Sequence, residues 1–506
     1  MQHVTASTDY QLLYTQKVEE TEALHFKVSL LEQQLNQLKK MIYGSRQERF
    51  IPTDNNPSQL TLSIESQAAV ACNIIDTQKI SYTRYTATVS EIKKDHPGRT
   101  KLPEHLERRI IAIEPGEDVT GFKKIGEEIT EELEYEPGNL FVNRYVRSKY
   151  AKPNNEGIVI APMIDRPLPK AIAGPGLLSQ IVIDKYVDHL PLYRQMERFK
   201  RQGVTIPYST ITDMISGTCK LLTPLFDALV KIMLQSNYLH ADETPIKVLD
   251  KDKKGDASAG SAHRGYFWVY HSSIERLVVF DYRQGRGREG PAEILKNFTG
   301  HLQTDGYAVY DVFKDKEDIT VMHCMAHARR MFFEAQANDH VRASYATEQI
   351  QELYNIERKA KDIDLGFDEI LQLRIKESIP ILQSLGKWMK EQYLQTLPKS
   401  VIGKALGYSI ERWNELMVYT TDGKLNIDNN PVENSIRPVA LGRKNYLFAG
   451  SHEAAQRSAM LYSFMGTCKL NKINPAVWLT DVLKRINNHP INKITELLPQ
   501  NWKPVL

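Results

Sequence analysis

The stretch from Tyr238 to Glu334 constrains the fold most, because its apolar residues change period several times in quick succession. A first strand is expected from Tyr238. Gly265–Tyr270 and Arg276–Tyr282 then alternate apolar and polar residues, which predicts an antiparallel pair. The turn Arg283-Gln-Gly-Arg-Gly-Arg288 leads into a helix over Pro291–Phe298. A strand ending at Asp305, a short strand at Asp318–Met322 and a helix from Ala326 follow. Such an order predicts an α/β domain around a mixed sheet. Residues 336–420 are rich in Lys, Glu and Leu, with breaks expected at Pro380 and Pro398. They are too long for a loop inside a compact fold, so a helical insertion is expected.

Three carboxylates mark the joints of this pattern. Asp242 lies in Tyr238-Leu-His-Ala-Asp-Glu-Thr-Pro245 and Asp305 in Leu302-Gln-Thr-Asp-Gly-Tyr-Ala-Val-Tyr310, each where a strand is expected to end. Glu433 lies in Asp428-Asn-Asn-Pro-Val-Glu-Asn-Ser-Ile-Arg-Pro438, one turn into an expected helix. Acids gathered in this way can hold two divalent cations by oxygen ligands alone, the device for in-line displacement at a phosphodiester. Ordinary roles compete. Asn430-Pro-Val-Glu433 has capping-box spacing, and Arg437 lies four residues beyond Glu433. Glu243, Asp281, Asp311 and Asp428 are rival acids. Glu243 would face away from Asp242 if the strand continues.

The blocks His-Ala-Asp-Glu-Thr, Thr-Asp-Gly-Tyr and Asp-Asn-Asn-Pro-Val-Glu-Asn-Ser-Ile-Arg-Pro resemble the catalytic blocks of insertion-sequence 66 family transposases. The resemblance covers most of residues 165–490. It implies a DDE transposase with an RNase H-like catalytic domain at 237–335 and 421–465, interrupted by the insertion. It implies that Asp242, Asp305 and Glu433 are catalytic and bind two Mg²⁺ or Mn²⁺ ions. The family pattern Cys-x-x-His-Ala-Arg-Arg-x-Phe-Phe-Glu is matched by Cys324-Met-Ala-His-Ala-Arg-Arg-Met-Phe-Phe-Glu334. His327, with Cys324 beside it, is expected to orient a carboxylate or a phosphate. Arg329, Arg330, Arg437, Arg443 and Lys444 are candidate phosphate contacts. Two other readings stay open: a metal-dependent nuclease without strand joining, and a domesticated DNA-binding protein. The need for accessory proteins of the same element is also open.

The rest of the chain is read around this core. Leu24, Val28, Leu31, Leu35, Leu38 and Ile42 follow heptad spacing, which predicts a coiled coil and self-association within residues 1–50. Residues 51–98 read as a polar linker, and 99–160 as a small strand-rich module with runs at Arg109–Ile113 and Leu140–Val146. The family places zinc-binding cysteines in this module. None occur here, so no structural zinc is expected. Residues 165–236 predict helices at Leu177–His189 and Leu192–Arg201, and a third capped by Ser209 that runs through Met214. Helix-turn-helix geometry here would make Arg194, Arg198, Lys200 and Arg201 candidate DNA contacts, and a plain helical subdomain with a solvated basic face is the alternative. A C-terminal helical domain over 466–506 is expected to bury Val477, Trp478, Leu479, Val482, Leu483 and Ile486.

The net charge of +3 conceals an asymmetry. Residues 101–140 hold 11 acidic against 5 basic residues, and 141–202 hold 11 basic against 5 acidic. The basic segment is expected to meet a phosphate backbone. No apolar run approaches the roughly 20 residues of a membrane span. The start has no signal-peptide pattern, and Cys72, Cys219, Cys324 and Cys468 lie far apart, so a bacterial cytoplasm is expected.

Overall fold

The computed structural model describes residues 102–116, 123–136, 138–152, 157–249 and 262–504. The expected coiled coil and linker lie outside the described residues. The fold is mixed α/β, with two mixed sheets and many helices.

The first sheet contains β1 (Arg108–Ile113), β2 (Lys123–Glu136), β3 (Asn139–Ala151) and β4 (Ile158–Ile160). Its order is β1-β3-β2, with β4 also on β3. β2 is a strand that propensity disfavours, since Glu is a poor strand former. Its partner explains it. Ile129 pairs with Val146 and Leu133 with Val142, while Glu128 faces Arg147 and Glu131 faces Arg144. Gly138, at φ +90°, makes the turn between the two strands.

Three helices follow: α1 (Pro175–Tyr186), α2 (Leu192–Arg201) and α3 (Tyr208–Leu234). Glu134 reaches across from β2 to accept the Leu177 N–H at 2.9 Å, placing an acid at the N-terminus of α1. Gly203, at φ +79°, turns α2 into α3. The third helix departs from the sequence reading. It starts after Pro207, Ser209 makes no cap, and it continues to Leu234 because Ile211, Met214, Leu222, Leu225, Leu229 and Met233 are all buried. Its buried face packs toward the second sheet, while Tyr208, Ser209, Asp213 and Lys220 stay exposed.

The second sheet contains β5 (Tyr238–Leu249), β6 (Ala262–Ser272), β7 (Leu277–Arg283), β8 (Gly300–Thr304) and β9 (Ile319–His323). Short α4 (Glu289–Ile294) precedes β8, and α5 (Met325–Ala335) follows β9. The order is β7-β6-β5-β8-β9. β5, β6 and β7 are antiparallel neighbours, whereas β5, β8 and β9 run parallel.

The insertion is helical, as its composition implies. It holds α6 (His340–Asp362), α7 (Phe367–Leu373), α8 (Ile379–Tyr393), α9 (Val401–Glu411) and α10 (Trp413–Met417), around its own apolar cluster with Leu353, Leu385 and Leu406. Pro380 does not break it. A π-turn over Arg374–Ser378 joins α7 to α8, and Pro380 sits in the first turn of α8, where its missing N–H costs nothing. The chain returns through α11 (Asn430–Asn445), α12 (His452–Leu470) and α13 (Pro475–Arg485). α12 runs through position 465, so the catalytic and C-terminal segments share one helix. A single apolar cluster extends from Leu133 and Leu177 through Phe267 and Phe280 to Trp478 and Leu483.

Candidate active site

The second sheet sets the first two acids side by side. In the parallel pair of β5 and β8, Tyr238 is beside His301 and His240 beside Gln303. That register, continued by two residues, brings Asp242 level with Asp305, which directly follows β8. Residues two apart on a strand share a face, so His240 and Asp242 line the face of Gln303 and Asp305. The sequence puts Asp242 at a strand end, but it lies inside β5. The reason is β6, which pairs with β5 from His240 to Leu249 and carries the strand past the point where β8 stops.

Glu433 reaches this face from beyond the insertion, in the first turn of α11. Asn429 Nδ2 donates to the Ala241 carbonyl at 3.0 Å, Ser435 Oγ lies 3.0 Å from His271 Nδ1, and Arg443 donates to the Pro245 carbonyl. These contacts lay α11 along β5 and β6. Asp428 is a turn residue: its Oδ1 accepts the Asn430 N–H at 3.0 Å, and Tyr354 donates to its Oδ2.

His240 holds the same junction. Its Nδ1 is 3.0 Å from Asn429 Oδ1, and Asn426 Nδ2 is 3.1 Å from its Nε2. Because Asn429 already donates its amide to Ala241, its oxygen must accept, which fixes the neutral Nδ1–H tautomer. Complete burial, helped by nearby His271, pushes the imidazole down to about 3. His240, Asn426 and Asn429 escaped sequence reasoning. The available signal was the period of two along β5, which puts His240 on the face of Asp242.

The site is dominated by like charges. Burial, then Glu243, Asp305 and Glu433, hold the Asp242 carboxyl well above the usual carboxylate range. The side chains acting on it most are therefore all acidic. Its Oδ1 accepts the Glu243 N–H at 2.8 Å. Among the described residues no three His, Cys, Asp or Glu side chains converge closely enough to hold a metal ion as they stand. The three acids share a field rather than a point.

Glu243 takes the opposite face, as the strand's alternation requires. It is 3% exposed and accepts from Arg286 Nε at 2.8 Å. The Arg286 guanidinium lies 4.1 Å from the centre of the Tyr307 ring, and the Tyr307 N–H donates to Asp305 Oδ1 at 2.9 Å. Arg286 thus supplies Glu243 with a cation and leaves Asp242 without one.

Cys324 borders the site through α11. Its Sγ accepts the Asn429 N–H at 3.2 Å, and burial pushes the thiol up to about 12. His327 is half-buried in the first turn of α5, and its Nδ1 is buried without a hydrogen-bond partner.

The candidate DNA contacts divide. Lys200, Arg201, Arg437 and Lys444 are exposed. Arg194 is exposed and donates to the Tyr193 hydroxyl at 3.1 Å. Arg330 is exposed, with Glu334 at 3.8 Å. Arg198 is turned inward onto buried Asp184, Arg329 donates to Gln351 of the insertion at 3.3 Å, and Arg443 is held by Pro245. The basic segment at 141–202 is likewise partly neutralised within the fold. Arg144 faces Glu131, Arg147 and Lys149 face Glu128, and Arg166 faces Glu132. Its positive excess is therefore not a continuous surface for phosphate.

The sequence model described as "Transposase IS66 family" matches residues 170–457, the whole span from α1 to the start of α12. The chain belongs to the IS66 transposase family. The family's C-terminal element matches residues 463–500, and a model described as "Transposase C of IS166 homeodomain" matches residues 30–111. This IS66 family chain is 32% identical to the uncharacterized protein y4hP of Sinorhizobium fredii over 502 residues, covering 94% of the chain and 88% of y4hP. It is 28% identical to the uncharacterized protein y4jD of the same organism, covering 97% of the chain and 98% of y4jD. No helix among the described residues of this family member is long and apolar enough to cross a membrane.

Proposed function

We propose that this chain is a DNA transposase that cleaves at the ends of its element and joins the freed 3′-hydroxyl to target DNA. Asp242, Asp305 and Glu433 are its catalytic carboxylates. The observation that carries this reading is the shared face of β5 and β8, with Asp242 level with Asp305 and Glu433 on the helix laid across it. The strand order β7-β6-β5-β8-β9, two antiparallel neighbours and then two parallel ones, supports an RNase H-like domain.

The donor chemistry suits two Mg²⁺ or Mn²⁺ ions, which the three acids would have to draw together to hold. All three are hard oxygen donors, and a divalent cation would relieve the like-charge field around Asp242. When bound, the metal supplies Lewis acidity toward the attacking hydroxyl and the leaving 3′-oxygen. The protein's own part is positioning. The β5–β8 register holds Asp242 against Asp305, and the His240–Asn429 contact sets the start of the Glu433 helix. Arg437 and Lys444 on α11 are proposed contacts to DNA phosphates, which their exposure supports. Self-association through residues 24–42 belongs to the same reading, with loss of oligomer mass expected for a Leu31→Lys, Leu35→Lys variant in light scattering.

The test is incubation of purified protein with pre-cleaved end DNA, a target plasmid and Mn²⁺. Joined products are expected. Nicked but unjoined DNA would identify a nuclease, and binding without either product would identify a DNA-binding protein.

A further inference from the structure

A cavity of about 280 Å³ opens between the start of α2, the start of α3 and the segment after α11. It differs from three larger cavities. One is lined by Glu132, Glu134, Asp165 and Asp481, another by Asp281 and Glu453, and a third by Glu317 and Asp318. This one is lined by no carboxylate. Its walls carry Lys185, Arg443 and several aromatic rings. Tyr193, Tyr208 and Phe448 stand 58%, 56% and 48% exposed, so their faces are open to a ligand. The floor is fixed. The Tyr446 and Tyr462 hydroxyls are hydrogen-bonded, and the Lys185 ammonium lies 5.2 Å from the Tyr186 ring centre and 5.8 Å from that of Tyr446.

The groove continues from the candidate active site. Ile246 lines it and lies four residues beyond Asp242 on the same face of β5, about 13 Å along the strand. Arg443 is ten residues beyond Glu433 on α11, about 15 Å along the helix. Both elements therefore lead from the acids to the groove, over roughly four stacked nucleotides at 3.4 Å each. Exposed aromatic faces beside cations, with no acid to repel a phosphate, match what unpaired nucleotides require: rings for the bases and positive charge for the backbone.

We propose that this groove takes an unpaired base of the DNA strand whose scissile phosphate lies at Asp242, Asp305 and Glu433. The position of the strand rests on the catalytic reading above; the affinity of the groove for a base does not. An apolar peptide segment is the rival occupant.

The probes are a twelve-residue thymidine oligonucleotide carrying one central 2-aminopurine and the same strand with abasic sugars at its centre. Wild-type protein should quench the 2-aminopurine by stacking. Phe448→Ala and Tyr208→Ala should each weaken binding of the first probe about tenfold and leave the abasic probe unchanged. Phe448→Trp should restore it. Both positions are half exposed, and circular dichroism checks the fold of each variant. Equal weakening of both probes, or no change in either, would overturn the proposal in favour of backbone contacts or a peptide. Quenching without metal-dependent cleavage would keep the groove and remove the catalytic reading. Cleavage without quenching would do the reverse.

Discussion

β2 of the first sheet and the Asp242 site of the second surround their acids differently. In the first, three acids on β2 meet bases: Glu128 has Arg147, Glu131 has Arg144, and buried Glu132 accepts from both Arg166 and the Tyr145 hydroxyl. In the second, Glu243, Asp305 and Glu433 all bear on buried Asp242, and Arg286 is turned to Glu243. Burying a charge costs free energy unless it is paired. An acid whose neighbours repay that cost is part of the architecture. An acid held among its own kind stays destabilised until something positive arrives, and strongly perturbed groups of that sort gather at working sites.

Four experiments would break or sharpen this contrast. On the proposed function, Asp242→Asn, Asp305→Asn or Glu433→Gln should each reduce cleavage and strand transfer below about one per cent while DNA binding survives, because the proposed metal site would lose one charge with little change of shape. A variant with substantial activity in a gel assay would take its residue out of the site. Arg166→Met should cost about 3 kcal/mol in urea unfolding, because it strands Glu132 at 2% exposure. Adding Glu132→Gln should recover much of that loss. If Arg166→Met is neutral, the first sheet does not depend on its pairing.

The third test concerns acid. Burial pushes His271 down to about 4, so the folded protein binds fewer protons there than the unfolded chain. Its contribution is fully present above the ordinary imidazole value near 6.5 and is lost as pH falls from there toward 4. Thermal midpoints measured across that window should fall less steeply for His271→Gln than for wild type. A slope that does not change would show that His271 is not linked to folding. The smallest effect is expected at a half-exposed pair on the central strand of the first sheet. Arg144→Ala should cost under about 1 kcal/mol, since its 3.8 Å pair with Glu131 is screened by water. A larger loss would mean that the pairs act as a network.

Much of the second sheet was legible because its signals are local. Period-two runs marked β6 and β7, and Asn430-Pro-Val-Glu433 marked the start of α11. The ladders were not legible. Asp242 was assigned to a strand end, and only the unequal reach of β6 and β8 along β5 shows why it lies inside. β2 was missed because its strand character comes from a partner rather than from its own composition. The basic excess at 141–202 was counted along the chain, whereas part of it is cancelled across the ladder by Glu128 and Glu131. Phe448 is far in sequence from Tyr193 and Tyr208, so no window could join the three into one groove.

The insertion sets when the candidate site can exist. Arg374 gathers the carbonyls of Tyr419, Asp422 and Leu425 together with the Glu357 carboxylate, and Tyr408 donates to the Asp305 carbonyl at 2.8 Å. The approach to α11 and the turn at Asp305 thus lean on helices that lie between them in the chain. Contacts across so long a separation form late, after the intervening segment has condensed. A nascent or partly folded chain would hold two of its acids in a sheet and still lack the third, so the candidate site is complete only in the finished fold.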